Sequence, residues 1–163
     1  MNPKTFRPNG AIGALLDEYE KALRELIEVI RALSPEELQQ VVDSTTKDTD
    51  CQSIQSILTH VVQSGYTYVI IIRKHLGETI EYKEKIFLNS ASDYQTALQE
   101  MFAFNEALFE DYPNLRLVEH LPEKKITARW GQQYDVDQLF EHAIVHVLRH
   151  RRQIERFKLT ILS

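Results

Sequence analysis

The sequence contains little cysteine, glycine or proline, and each shortage excludes a class of protein. Cys51 is the only cysteine among 163 residues, so the chain cannot form an internal disulfide and suits a reducing compartment. The five glycines and five prolines form no low-complexity tract, and no repeat period is found. We therefore expect a single domain over residues 1–163, in which residues 1–10 are an N-terminal extension.

Long apolar runs and an overall basic charge are also missing. The longest apolar run, Tyr68 to Ile72, is far too short to cross a bilayer, and residues 1–10 contain no apolar stretch typical of a secretory signal. The net charge of −5 gives no reason to expect nucleic acid as a partner. A basic cluster near the C-terminus is expected to be a solvated helix face; it comprises Arg149, Arg151, Arg152, Arg156 and Lys158. We expect a cytoplasmic protein without membrane contact.

Helical spacing of apolar residues predicts four long helices. They are expected over about residues 12–33, 53–76, 90–112 and 135–159. A short helix is predicted from Ser34 to about Val42, because serine, proline and glutamate stand there in the order of a helix start. These elements predict an all-α protein, folded as an up-and-down four-helix bundle with one short extra helix.

The connections between the helices carry weaker signals. Residues 43–50 are interpreted as a polar loop, and residues 78–89 as an extended connection. Residues 125–134 are predicted to form a short irregular hairpin that leads into the last helix.

Three of the six histidines stand four residues apart in the last predicted helix. His142, His146 and His150 therefore lie on one side of it. His146 and His150 also fall on a core-facing seam, where leucines would be expected, and burying such rings without partners costs about 1–3 kcal/mol each. Two histidines at i and i+4 can bind one divalent metal ion. The alternative is a polar stripe near a helix C-terminus, where cations suit the helix dipole.

His60 is the best-placed third imidazole. It lies in the first half of the second long helix, between Leu58 and Val61, where a hydrogen-bonded core histidine is the commoner case. Both of these histidine-bearing helices must pack together in a four-helix bundle. We therefore predict that the rings of His60, His146 and His150 converge around one point.

Two motifs give the chain a resemblance to the DinB-like, or YfiT-like, superfamily of metal-binding four-helix bundles. Residues 53–61, with the sequence SIQSILTHV, are similar to the family pattern Ser-Ile-x-x-Ile-Leu-x-His. Residues 142–153 are similar to its His-x3-His-x3-His-Arg-Gly-Gln. Arg152 stands where the family usually has glycine, and its bulk would either narrow the approach to the site or point to solvent.

The resemblance implies that His60, His146 and His150 hold a divalent ion, commonly zinc or nickel. Three neutral imidazoles leave coordination positions open, as in a catalytic site and not in a closed structural one. His142 is the candidate catalytic base, because it is the only nearby group with a suitable unperturbed pKa. Gln153 is expected to form a hydrogen bond within the site.

The resemblance also implies the classes of activity. One is a metal-dependent thiol S-transferase that couples a low-molecular-weight thiol to an electrophile, and another is a hydrolase acting on a small molecule. The alternatives are a non-catalytic metal-binding or interaction bundle, and a structural bundle whose histidines bond one another. A homodimer is implied too, and the apolar residues Tyr66, Tyr68 and 70–72 favour it because they cover more than one helix face.

Trp130 is the only tryptophan, and two interpretations of it are open. The segment from Ile126 to Tyr134 is the nearest connection able to cover a gap beside the metal. Trp130 would then act as a lid that contacts the substrate. In the other interpretation, which is the more frequent for a tryptophan, it plugs the end of the hydrophobic core.

Overall fold

The computed structural model describes residues 5–163, and it is an all-α bundle of four long helices. Residues 1–4 of the predicted N-terminal extension lie outside the described residues. The helices and strands are α1 (Gly10–Ile30), α2 (Pro35–Gln39), α3 (Ile54–His75), α4 (Ala91–Asp111), β1 (Ile126–Thr127), β2 (Gln133–Tyr134) and α5 (Val136–Ile161). Two short 3-10 turns add Thr49–Cys51 and Pro122–Lys124.

The starts of α2, α3, α4 and α5 follow their predicted capping residues, whereas α1 ends at Ile30, three residues before the predicted end. Ser34 and Glu37 cap the start of α2 reciprocally. The Glu37 backbone nitrogen donates to the Ser34 hydroxyl at 3.2 Å, and the Ser34 backbone nitrogen donates to the Glu37 carboxylate at 2.7 Å. The prediction that this helix reaches Val42 is wrong, because it ends at Gln39. Val41 instead forms an isolated β-bridge with Ser53, the residue that caps α3.

The packing of the long helices sets the position of the site. α1 packs against α4 and α5, and α3 packs against the same two helices. Their buried residues, including Leu26, Ile57, Leu98 and Leu139, form one continuous core. α3 and α5 are therefore neighbours, which is the arrangement that the predicted convergence of His60 with the α5 histidines requires.

The segment before α1 is attached to the bundle by Arg7. Its guanidinium group bonds Asp17 and Glu20 at 2.8 Å and Glu106 of α4 at 2.7 Å. Residues 5–9 are therefore not a detached tail. α1 begins at Gly10, two residues before the predicted start and inside the predicted extension.

The apolar stretch in the second half of α3 is buried within the single chain. Tyr68, Ile70, Ile71 and Ile72 all belong to its buried hydrophobic residues. Tyr66 is half-buried against the same core, so this stretch adds no support for a dimer contact and the homodimer stays a prediction that rests on the resemblance alone. Among the described residues, every helix is too short or too polar to span a membrane.

The predicted hairpin is present as a two-stranded antiparallel ribbon. Ile126 pairs with Tyr134 and Thr127 with Gln133, so Trp130 stands at the turn beside Gly131, whose φ is 87°. Tyr134 is followed within two residues by the start of α5. The hairpin therefore lies against the helix that carries the three regularly spaced histidines.

Candidate metal centre

The imidazoles of His60, His146 and His150 converge, as predicted. The Nε2 atom of His146 lies 2.9 Å from that of His60 and 3.2 Å from that of His150. All three candidate ligand atoms lie within 4.8 Å of one another. A tetrahedral ion with bonds of roughly 2.0–2.1 Å separates its ligand atoms by about 3.3 Å. One divalent ion therefore fits between these nitrogens after small movements of the side chains.

Hydrogen bonds from two other side chains orient two of the three rings. The Asp50 carboxylate lies 3.1 Å from His60 Nδ1, and the Gln153 side-chain oxygen lies 3.1 Å from His150 Nδ1. Both oxygens are acceptors, so the hydrogen of each neutral ring is assigned to Nδ1. The lone pairs of both Nε2 atoms then face the centre of the cluster, as metal ligands require.

A cluster held only by hydrogen bonds between histidines would be left incomplete. When His60 and His150 carry their hydrogens on Nδ1, both present an Nε2 acceptor to His146 Nε2. That atom carries at most one hydrogen and can satisfy only one of them. His150 is 3% exposed, so an acceptor left on that ring has little access to water, whereas His60 keeps 26% of its side chain exposed. A cation satisfies all three lone pairs, so the geometry favours a metal site over a structural histidine cluster.

Burial also keeps these rings neutral. Loss of solvent, reinforced by the neighbouring His150 and His60, lowers the pKa of His146 to about 2. The same desolvation, with the charge of His60 next in importance, lowers the pKa of His150 to about 4, and desolvation also lowers the pKa of His60. All three rings are neutral at pH 7, the form in which histidine binds metals.

Asp50 is the residue that sequence reasoning missed. It lies in the 3-10 turn Thr49–Cys51, where its backbone nitrogen is capped by the Asp48 side chain at 3.0 Å. Lys85, from the connection after α3, forms an ion pair with its second carboxylate oxygen. Asp50 is thus held between Lys85 and His60. The only sequence signal was a group of aspartates shortly before the helix that carries His60.

We expect Asp50→Ala to weaken metal binding by about 10- to 100-fold, because His60 loses the acceptor that orients its ring. The affinity can be measured by competition with a chelator of known strength. Asp43→Ala is the matched control, since Asp43 caps Thr45 and Thr46 in the same loop. Equal affinities of the two variants would contradict an orienting role for Asp50.

His142 stands beside the three-histidine cluster and does not enter it. Its ring is nearly parallel to that of His146, with centroids 6.5 Å apart. Trp130 stacks on it at 6.0 Å, and Tyr68 contacts both His142 and His146 edge-on at 5.3 and 5.8 Å. Burial, with a smaller effect of the Arg149 charge, lowers the pKa of His142. These aromatic side chains therefore border the centre beside His142, which remains exposed to solvent.

Trp130 is 48% exposed and donates a hydrogen bond from its ring nitrogen to the Tyr134 hydroxyl at 3.1 Å. That exposure does not agree with a plug in the hydrophobic core. The hairpin reaches the histidines only through His142, where a small cavity of about 60 Å³ is lined by His142, Val145, His146 and Arg149. The role of Trp130 as a lid stays a prediction.

A second, much larger cavity also borders the cluster. Its volume is about 600 Å³, and its lining includes His60, His150 and Gln153 together with Cys51. Burial raises the pKa of the Cys51 thiol, which lies 3.4 Å from the Asp48 carboxylate. The thiol therefore stays protonated at neutral pH, as suits a residue predicted to be a poor nucleophile. The cavity is large enough for a small molecule.

Comparison with known protein families finds one family model that matches the chain. The family model of the DinB family matches residues 1–156, a range that includes all three converging histidines as well as Asp50 and Gln153. A search of curated proteins finds no match to the chain.

Proposed function

Since the chain belongs to the DinB family, we propose that it is a metal-dependent enzyme that transfers the thiol of a small molecule to an electrophile. His60, His146 and His150 would hold a divalent ion, zinc or nickel, and leave at least one position for the substrate. The observation that carries the proposal is the convergence of three neutral imidazoles, two of which are oriented by Asp50 and Gln153.

The chemistry divides between the ion and the side chains around it. A bound divalent ion would lower the pKa of the substrate thiol, so that thiolate is present at neutral pH. His142 is neutral at that pH and is proposed to take up the thiol proton. Tyr68 and Trp130 contact the ring of His142, which is itself exposed to solvent. Substrate would reach the ion from the cavity of about 600 Å³ that His60 and His150 line.

The proposed activity can be tested on zinc-loaded and nickel-loaded protein with 2-mercaptoethanol and the fluorogenic electrophile monochlorobimane. We expect thiol conjugation above the uncatalysed rate, which His146→Ala should abolish along with the metal. His142→Gln should keep the metal but lose turnover by roughly 10²- to 10⁴-fold, as expected for a lost proton acceptor.

The same preparations distinguish the alternatives. Hydrolysis of p-nitrophenyl acetate without thiol conjugation would favour a hydrolase that uses the ion to activate water. A stoichiometric metal ion with neither activity, over a range of thiols, electrophiles and esters, would support a non-catalytic metal-binding bundle. Turnover by His142→Gln at the wild-type rate would remove His142 from the proposal.

A further inference from the structure

Three arginines of α5 share one wall of the cavity beside the metal centre. Arg149, Arg152 and Arg156 are spaced by three and four residues, so they occupy one face of the helix. All three line the cavity of about 600 Å³ that is also lined by His60 and His150. Two of the three candidate ligands and a row of guanidinium groups therefore border the same space.

These arginines are not used in ion pairs of the fold. Among residues 5–163, none of the three lies within ion-pairing distance of a carboxylate, whereas Arg151 on the adjoining face pairs with Glu25 and Glu155. Within the described part of the chain, Asp48 is the one acidic residue in the cavity lining, and its carboxylate accepts hydrogen bonds from Cys51 and from the Asp50 backbone. Three cations against one anion make the cavity locally positive in a chain of net charge −5.

Guanidinium groups in a concave site match carboxylate and phosphate groups, which they can bind through two parallel hydrogen bonds. We propose that this cavity binds a small anionic molecule, whose carboxylate or phosphate groups contact Arg149, Arg152 and Arg156 while its other end reaches the metal. The inference rests on the proposed function in one respect, since that function makes the metal-bound end a thiol.

Arg152 is central to this assignment, because it is the middle member of the row. A glycine at that position, as in the family pattern that the chain resembles, would leave a gap between the two other guanidinium groups. Arg152 lies exposed on the surface of α5, so its side chain can turn towards a bound anion. Of the two expectations for its bulk, we favour the one in which it narrows and charges the approach to the site.

The test uses cobalt-loaded protein, in which a thiolate bound to the ion absorbs in the near ultraviolet. Titration with mercaptosuccinate, a thiol with two carboxylates, is compared with titration with the uncharged 2-mercaptoethanol. We expect wild-type protein to bind mercaptosuccinate at least about tenfold more tightly than 2-mercaptoethanol. Arg152→Gln should reduce that preference about fivefold, and Arg152→Gln with Arg156→Gln should remove it.

Arg116→Gln is the matched control. It removes the same charge from an exposed arginine that lines another cavity, beside Val136 at the start of α5. Val136 and Arg152 are separated by about 24 Å along the helix axis. The preference for mercaptosuccinate should be unchanged in Arg116→Gln. Circular dichroism of each variant verifies that the helices are intact.

Calorimetric titration of the same metal-loaded proteins with succinate and with inorganic phosphate separates the two kinds of anion. A binding heat that is lost in the double variant and kept in Arg116→Gln supports the anion site. The anion that binds more tightly, succinate or phosphate, identifies whether the site prefers a carboxylate or a phosphate group. Equal preference and equal heats in wild-type protein and the double variant would overturn it. Absence of thiolate absorbance with either thiol would instead contradict the proposed function, while the calorimetry still decides the anion site.

Discussion

His146→Ala is expected to release the metal ion, with a loss of affinity on the order of a hundredfold or more. Binding of about 10–16 kcal/mol by four-ligand sites corresponds to roughly 3 kcal/mol for each ligand. His146 is the central member of the cluster, since its Nε2 contacts the Nε2 atoms of both His60 and His150. Its removal leaves two nitrogens on different helices, which compete poorly with buffer for an ion. His150→Ala should have a similar effect.

Two histidines of the same chain serve as controls for this experiment. His75 is the last residue of α3, and His120 lies in the irregular connection before the hairpin. Neither belongs to the three-histidine cluster. Elemental analysis after dialysis should find about one equivalent of metal in His75→Ala and His120→Ala, as in the wild-type protein. Equal metal content in all four variants would show that the ion is held elsewhere.

The ligand set could be predicted from sequence because helical periodicity is a local property. Spacing by four residues places His146 and His150 on one face, and the seam they share with Leu139 and Ala143 turns that face inwards. His60 was harder to assign, because its apolar neighbours are equally compatible with a core histidine. Its place on a helix that must pack against the last helix made it the best third imidazole, and the resemblance to a known bundle then implied that it is a ligand.

The two residues that orient the histidine rings, Gln153 and Asp50, differ in how far the sequence predicts them. Gln153 lies one turn after His150 on α5, so its hydrogen bond to that ring could be predicted. Asp50 belongs to a loop, and its contact with His60 depends on how the chain between α2 and α3 folds back. The bridge between Val41 and Ser53 closes that loop. Such a pairing leaves no periodic trace in the sequence, which explains both the missed aspartate and the wrong end of α2.

The position of the large cavity was missed for the same reason. The hairpin precedes α5 and carries Trp130, so the sequence favours it as the cover of the site, whereas the loop with Asp48 and Cys51 borders the wider opening. The hairpin covers the side of His142 instead. Two different loops therefore border the site. Arg149 lines both cavities, whereas Arg152 and Arg156 belong to the lining of the larger one.

Metal binding is expected to stabilise the whole bundle, because the ligands come from two helices. His60 on α3 and His146 on α5 are 86 residues apart, so the unfolded chain cannot present them together. At a free zinc concentration a thousand times the dissociation constant, the free energy of unfolding should rise by about 4 kcal/mol. For a chain of this size that corresponds to an increase in Tm of roughly 10 °C. Thermal unfolding followed by circular dichroism, in zinc and in excess chelator, measures the difference.

His146→Leu is the matched variant for this measurement. It should not respond to zinc, because the cluster loses its central nitrogen. In chelator it should unfold at the same temperature as the wild-type protein or a higher one. Leucine fills a buried seam position without a polar group, while the metal-free wild type buries an imidazole acceptor that its neighbours cannot satisfy. If packing of the histidine rings alone stabilised the bundle, this order would be reversed. His146→Leu would then be less stable than the wild-type protein in chelator, and zinc would change the Tm of neither protein.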